Sequence, residues 1–309
     1  MDKLKGYILA AFAAAAYGTN PAFAIPLYET GMNPNSVLLF RYCIGIPLLA
    51  ILMGTRGLGF KLKKNELIPV FVLGILMALS SLTLFESYNY MNSGVASTLL
   101  FVYPIMVAVI MTFFFRESFK SSLILCFTFM GAGLILLMRS DGNESINAHG
   151  FLLVMMSALT YAIYIVLVNG SKAISRIPTT KLLFYVLIFG STVFLFKMAI
   201  GTELTLPVKS TGWYSLIALA IIPTVLSLAC TSAAIHIIGS TPTAIFGALE
   251  PVTAVILSVA FLGQTISAQE IVGGLLIVIA TTIVVTSNSV DKLILHVRKM
   301  FPKKLIHKR

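Results

Sequence analysis

Apolar residues run along this chain in long blocks that are separated by short polar breaks. Ten blocks approach or exceed the roughly 20 residues that a helix needs to cross a hydrocarbon core of about 30 Å. They lie at residues 6–28, 34–54, 68–90, 94–115, 121–138, 150–168, 180–200, 213–235, 241–262 and 268–287. Gly, Asn, Pro and Ser are frequent in the breaks between them. The pattern predicts an all-α polytopic membrane protein with ten transmembrane helices.

Composition supports this interpretation. Of 309 residues, 58% are hydrophobic and only 11% are charged, whereas a water-soluble domain carries roughly 25% charged residues. This balance excludes a soluble enzyme, a disordered protein and a coiled coil. The three cysteines, Cys43, Cys126 and Cys230, all lie within apolar blocks and indicate no disulfide framework.

The net charge is +11, and most of the basic residues fall on one side of the predicted membrane. With the N-terminus taken as cytoplasmic, 18 of the 22 Lys and Arg residues fall in cytoplasmic segments, against Arg139, Lys197 and Lys209 outside. The positive-inside rule therefore predicts cytoplasmic N- and C-termini in a plasma or inner membrane, and the basic charge requires no nucleic-acid partner. The basic tail, 289–309, is interpreted either as a segment lying on the anionic inner leaflet or as a solvated tail.

The two halves of the chain show an internal repeat. A shift of 144 positions aligns Tyr17 with Tyr161, and a shift of 147 aligns Pro104 with Pro251. We therefore predict a first five-helix repeat at residues 1–140 and a second at 141–288. Since five is odd, the second repeat must cross the membrane in the opposite sense, an architecture that can expose one central site to either side in turn.

A known family has a similar pattern. Residues 89–104 (NYMNSGVASTLLFVYP) are followed by FRES at 115–118, and the second half carries ALEPV at 248–252 and FLG at 261–263. These motifs resemble the EamA family of the drug/metabolite transporter superfamily. The chain departs from the family pattern at Gln264, where an acidic residue like Glu117 is usual, and at Ser87-Tyr88, where Ala-Leu is common. The resemblance implies a secondary carrier of small organic solutes, commonly an exporter.

Glu250 is the most informative charged residue within the apolar blocks. It lies about nine residues into the block 241–262, which places it about 14 Å deep, close to the bilayer midplane. Pro251 follows it and disturbs the preceding helical turn. We interpret Glu250 as a cavity residue that binds a substrate amine or carries a proton, with a structural hydrogen bond between helices as the alternative.

Arg41 and Glu86 lie at similar depths from the external ends of their blocks. One hypothesis is an ion pair with a gating role. The alternative is that each side chain reaches independently to the external headgroups.

Further candidates combine an apolar surface with a polar group, as substrate pockets require. They are Tyr17, Asn20, Tyr103, Tyr161 and Tyr164. Each could equally serve ordinary helix packing. Three prolines, Pro21, Pro104 and Pro251, are predicted to mark structural helix breaks in both halves.

Motifs for other functions are missing from the sequence. There is no phosphate-binding loop for ATP and no hydrolase or zinc-protease motif, and the four histidines are widely dispersed. We therefore expect no enzyme activity, metal or cofactor, apart from possible proton coupling. The expected function is alternating-access export of small metabolites such as amino acids or amphiphilic toxic compounds. A membrane-embedded enzyme or assembly factor acting on lipids, or a channel, is the alternative. The sequence does not predict an oligomeric state.

Overall fold

The computed structural model describes residues 2–114, 121–138, 147–171, 173–174, 176–238, 243, 246–247 and 249–285. Within these residues the regular structure is helical, without strands. The helices are α1 Asp2–Gly18, α2 Asn20–Glu29, α3 Pro34–Thr55, α4 Lys64–Ser87, α5 Ser93–Leu100, α6 Tyr103–Phe114, α7 Ser121–Met138, α8 Ala148–Gly170, α9 Thr179–Ala199, α10 Ser210–Ala220, a π-helix Ile221–Leu226, α11 Ser227–Ile238, α12 Leu249–Leu262 and α13 Ala268–Val285.

Seven apolar helical stretches of the described chain are long enough to cross a membrane. They are Lys3–Glu29, Pro34–Thr55, Lys64–Ser87, Ser93–Phe114, Ala148–Val168, Thr179–Ala199 and Ser210–Thr231. Leu249–Leu262 and Ala268–Ala280 are shorter apolar helices. The structure is therefore that of a helical membrane protein. Glu117, the segment 139–146 and the basic tail 289–309 lie outside the described residues.

Polar residues at the helix starts set several boundaries. The Asn33 side chain accepts a hydrogen bond from the Ser36 backbone N–H at 2.8 Å and caps α3. Helix α4 begins at Lys64, four residues before the predicted start, because the Glu66 carboxylate accepts from the Lys63 backbone N–H at 3.0 Å. An apolar pattern cannot show this charged first turn, which is stabilised by capping.

Three of the long stretches are interrupted in the middle. The first breaks at Thr19 between α1 and α2, and the fourth breaks after α5, just before α6 begins at Tyr103. Pro21 and Pro104 each lie in the first turn of the helix that follows the break, where a missing N–H removes no helical hydrogen bond. The third interruption is the π-helix between α10 and α11.

The helices of the two halves interleave. Helix α1 packs on α11 and α12, and α4 packs on α8 and α9. Three further pairs also join the halves: α3 with α9, α5 with α12, and α7 with α13. At the α4–α9 contact a Cβ on Gly74 would lie 2.9 Å from the Gly190 backbone nitrogen, so the two backbones approach as closely as small residues permit.

Candidate functional site

Three predicted tyrosines meet where α6 packs on α8. The Tyr103 and Tyr161 ring centroids are 4.7 Å apart with an interplanar angle of 74°. The Tyr161 and Tyr164 rings are 5.9 Å apart and nearly parallel, at 8°. Such edge and stacked arrangements stabilise aromatic pairs. The break before α6 positions Tyr103 at the start of that helix, next to α8.

Glu250 joins this aromatic group. It is the second residue of α12, and it follows a turn at Gly247, whose carbonyl accepts the Glu250 backbone N–H at 2.9 Å. The Glu250 carboxyl lies near enough to Tyr17, Tyr103 and Tyr161 to act on them electrostatically. Pro251 is buried in the first turn of α12. A carboxyl group and several phenols thus converge from helices of both halves.

Arg41 in α3 lies within electrostatic range of Tyr17, as Glu250 does. It is only 5% exposed, and its Nε donates to the Thr224 hydroxyl at 2.8 Å. Both Arg41 and Glu250 act electrostatically on Tyr17 and Tyr88. We call the set the central cluster and define it as Tyr17, Tyr42, Tyr88, Tyr103, Tyr161, Tyr164, Arg41 and Glu250.

The predicted pairing of Arg41 with Glu86 is wrong. Glu86 forms an ion pair with Lys197 near the end of α9, and both side chains are about one-third exposed. Arg41 instead bonds Thr224. Counting residues predicts the two depths but not the rotation of α3 and α4 about their axes, and the rotation decides which neighbour each side chain faces. The alternative, that each side chain reaches independently to the external headgroups, stays a prediction.

Asn20 has a structural position at the break between α1 and α2. It is 4% exposed, and its Nδ2 donates to the Tyr17 carbonyl at 2.8 Å, which satisfies an acceptor freed by the break. At the same break, a Cβ built on Gly18 would lie 2.5 Å from the Glu250 carbonyl oxygen. Gly18 therefore lets the broken helix contact the start of α12 directly.

The sequence did not predict roles for Tyr42, a member of the central cluster, or for Thr224 and Lys197, the partners of Arg41 and Glu86. The Tyr42 and Ser81 hydroxyls are 3.3 Å apart and share a hydrogen bond. Thr224 accepts from Arg41, and Lys197 pairs with Glu86. The feature of the sequence that could have indicated Thr224 is the neighbouring Pro223, which lies within an apolar block and falls in the π-helix. Tyr88 was noted only as a departure from a family pattern.

The other departure, Gln264, has a clear structural position. Its Oε1 accepts hydrogen bonds from the Ser93 backbone N–H at 3.2 Å and from the Ser93 hydroxyl at 3.0 Å. Ser93 is the first residue of α5, so the Gln264 amide oxygen satisfies a free donor at a helix N-terminus. An amide oxygen can replace a carboxylate as the acceptor in this position.

Comparison with known proteins identifies the family. The profile of the EamA-like transporter family matches residues 4–139 and again residues 148–286. The chain belongs to the EamA-like transporter family. This confirms the family resemblance, and the two matches together cover most of the chain.

Relatives of this EamA-like protein are also named as transporters. The uncharacterized transporter YvbV of Bacillus subtilis (strain 168) is 26% identical over 303 residues, 94% of this chain and 95% of the relative. The uncharacterized transporter YdfC of the same organism is 24% identical over 253 residues, 80% of each chain. A crystal structure of a protein 18% identical in sequence matches with a TM-score of 0.67 over 93% of this chain and 98% of that one, which shows a shared fold.

Proposed function

We propose that this EamA-like transporter is a secondary carrier that exports small organic solutes, such as amino acids or amphiphilic toxic compounds, by alternating access. The observation that supports this most strongly is the central cluster. It brings one acidic, one basic and six phenolic side chains together from helices of both halves. Ionisable groups inside a membrane protein commonly mark a substrate or ion pathway.

We further propose two inverted five-helix repeats, 1–140 and 141–288, which give ten membrane helices. The helix contacts support this arrangement, because the first helix of each half packs on helices of the other half. Helix α1 packs on α11 and α12, and its counterpart α8 packs on α4 and α6. The two family matches, 4–139 and 148–286, fall in the same two segments. Such inverted repeats place the binding site between the halves.

In the proposed mechanism the two halves rock about the central cluster, with the irregular points near Pro104 and Pro251 facing the solute. Hydrogen bonds between the halves join the expected external ends, as between Asn33 and Thr205 at 2.9 Å and between Ser93 and Gln264. Opening toward the outside requires some of these contacts to separate. The basic residues favour cytoplasmic termini in an inner or plasma membrane.

The test is counterflow in proteoliposomes that contain the purified chain. Vesicles are preloaded with one metabolite of a panel at a time. For a transported metabolite they should transiently accumulate the same solute in labelled form. Glu250→Gln should slow this accumulation about tenfold or more. The control is Glu270→Gln, because the Glu270 carboxylate caps α13 by accepting from the Ser267 backbone N–H at 2.7 Å and an amide oxygen can do the same. A channel or a lipid-acting enzyme would show no saturable counterflow.

We also propose that Glu250 couples transport to protons. A carboxyl group in this position can alternate between the two sides and carry one proton per cycle. An imposed pH gradient should then drive uphill movement of the solute in wild-type vesicles. Glu250→Gln should keep counterflow at its reduced rate but lose the response to the gradient. Indifference of the wild-type protein to the gradient contradicts coupling without contradicting carrier function.

A further inference from the structure

Arg41 is a buried cation whose terminal nitrogens have no protein partner in the described residues. Only Nε is engaged, through its 2.8 Å bond to Thr224, and no carboxylate of the described chain lies within ion-pair distance of Arg41. With 5% exposure the guanidinium is largely removed from water. A desolvated guanidinium is costly unless an anion or several acceptors satisfy it. The Nη1 and Nη2 groups are therefore positioned for a partner that the described part of the chain does not supply.

The π-helix fixes how Thr224 meets Arg41. The Thr224 hydroxyl donates its proton to the Leu219 carbonyl at 3.1 Å, so its oxygen can only accept from Arg41. This contact reaches back five residues, in keeping with the wider turn of a π-helix, a feature often found at functional sites. The acceptor for Nε is thus held in one orientation, and it constrains the plane of the guanidinium.

Phe85 restrains the guanidinium from α4. Its ring centroid lies 5.7 Å from the Arg41 Cζ, and the Phe85 side chain is 1% exposed, which is a cation–π contact in a dry environment. The nearest candidate counter-ion on this helix, Glu86, is paired with Lys197. Arg41 is therefore held by the protein on one edge and one face, while its terminal edge has no partner among the residues that the structure describes.

We propose that Arg41 is the carboxylate subsite of the transported solute. The terminal edge of a guanidinium presents two parallel N–H donors that match the two oxygens of a carboxylate. Arg41 is the cation that acts electrostatically on four tyrosines, Tyr17, Tyr28, Tyr42 and Tyr88. One carboxylate balances the single positive charge of Arg41. A phosphate ester would bring a second negative charge near Glu250.

The position of Glu250 extends the proposal from a carboxylate subsite to a class of substrate. Tyr17 and Tyr88 lie within electrostatic range of both Arg41 and Glu250, so the two opposite charges act on the same two phenols. The buried Tyr88 hydroxyl lies near Ser97 without forming a hydrogen bond of ordinary geometry. A solute with one carboxylate and one amine satisfies both charges. This inference rests on the proposed carrier function and selects amino-acid-like zwitterions over amphiphilic cations.

The test compares each acid with its own ester. The purified full-length protein in detergent is titrated calorimetrically with the twenty common L-amino acids. Every one that binds is compared with its methyl ester, which keeps the amine and loses the carboxylate. The wild type should bind the acid about tenfold or more tightly than the ester. Arg41→Gln should weaken acid binding about tenfold and leave ester binding unchanged, whereas the control Lys197→Gln, which removes an external cation, should keep the preference.

Several outcomes overturn the subsite. One is an acid preference that survives in Arg41→Gln, and others are equal wild-type affinity for acid and ester or failure of all twenty amino acids to bind. Displacement of a bound amino acid by inorganic phosphate at similar concentration also contradicts it. If Arg41→Gln does not fold, the wild-type comparison of acid and ester decides alone. Counterflow of other solutes in these cases leaves the carrier proposal intact, so the two failures are distinguishable.

Discussion

Arg41 and Glu86 show what a single charged residue needs before its role can be predicted. Their predicted depths follow from counting residues along two helices. Their partners depend on helix rotation and on α9 and the π-helix, which are distant in the sequence. Glu250 differs because Pro251 and the repeat already indicated a special position, and the predicted Tyr103 and Tyr161 lie within its electrostatic range.

The Glu86–Lys197 ion pair leads to a charge-swap prediction. Glu86→Lys and Lys197→Glu should each lower stability by about 1 kcal/mol, because each places like charges together near the end of α4. The double variant should recover most of the loss in a thermal-unfolding measurement. Arg41→Glu combined with Glu86→Arg should not recover, since those side chains do not meet. Equal loss in both double variants contradicts the assigned pair.

Gly18 gives a second prediction at this scale. A Cβ there would lie 2.5 Å from the Glu250 carbonyl oxygen and 2.8 Å from the Thr253 Cβ. Gly18→Ala should therefore separate α1 from α12 and lower stability by about 1–3 kcal/mol, with a loss of counterflow. The matched control is Gly131→Ala, where a Cβ meets nothing within 4 Å. Similar melting temperatures for the two variants contradict the close contact.

At the scale of elements, breaks in helices matter as much as their lengths. The apolar pattern located the first and fourth stretches, and their prolines lie directly after the observed interruptions at Thr19 and Phe101–Val102. The π-helix was not predicted, because a single proline in an apolar block does not specify how the backbone accommodates it. The π-helix holds Thr224 toward Arg41, so this local irregularity has a consequence for the site.

The contact between the α5 start and the α12–α13 connection gives a prediction about coupling. Ser93→Ala and Gln264→Ala should each destabilise the protein. Their double variant should be less destabilised than the sum by about 0.5–3 kcal/mol, because both remove the hydrogen bond between the Ser93 hydroxyl and the Gln264 amide oxygen. Gln264→Glu should keep wild-type stability, since a carboxylate accepts the same bonds at a helix N-terminus. Additive thermal-unfolding losses contradict direct coupling.

For the whole molecule, the orientation can be tested by chemical labelling. In a background with Cys43, Cys126 and Cys230 replaced by Ala, single cysteines are placed at the exposed positions Glu29 and Asn65. A membrane-impermeant maleimide should label position 29 in intact cells and position 65 only after permeabilisation. The reverse result contradicts the predicted cytoplasmic termini, and labelling of both positions in intact cells contradicts a membrane span between them.

The sequence by itself determined that this protein is helical and membrane-embedded, and its motifs identified the EamA-like family. These properties follow from composition, block length and local motifs, which need no knowledge of long-range contacts. The tertiary structure decided that Glu86 pairs with Lys197, that Thr224 holds Arg41, and that Gln264 caps α5. Each of these depends on how helices are rotated and packed across the two halves. The sequence pattern predicts how far along a helix axis a residue lies. The direction in which its side chain points around that axis is set by the neighbouring helices in space.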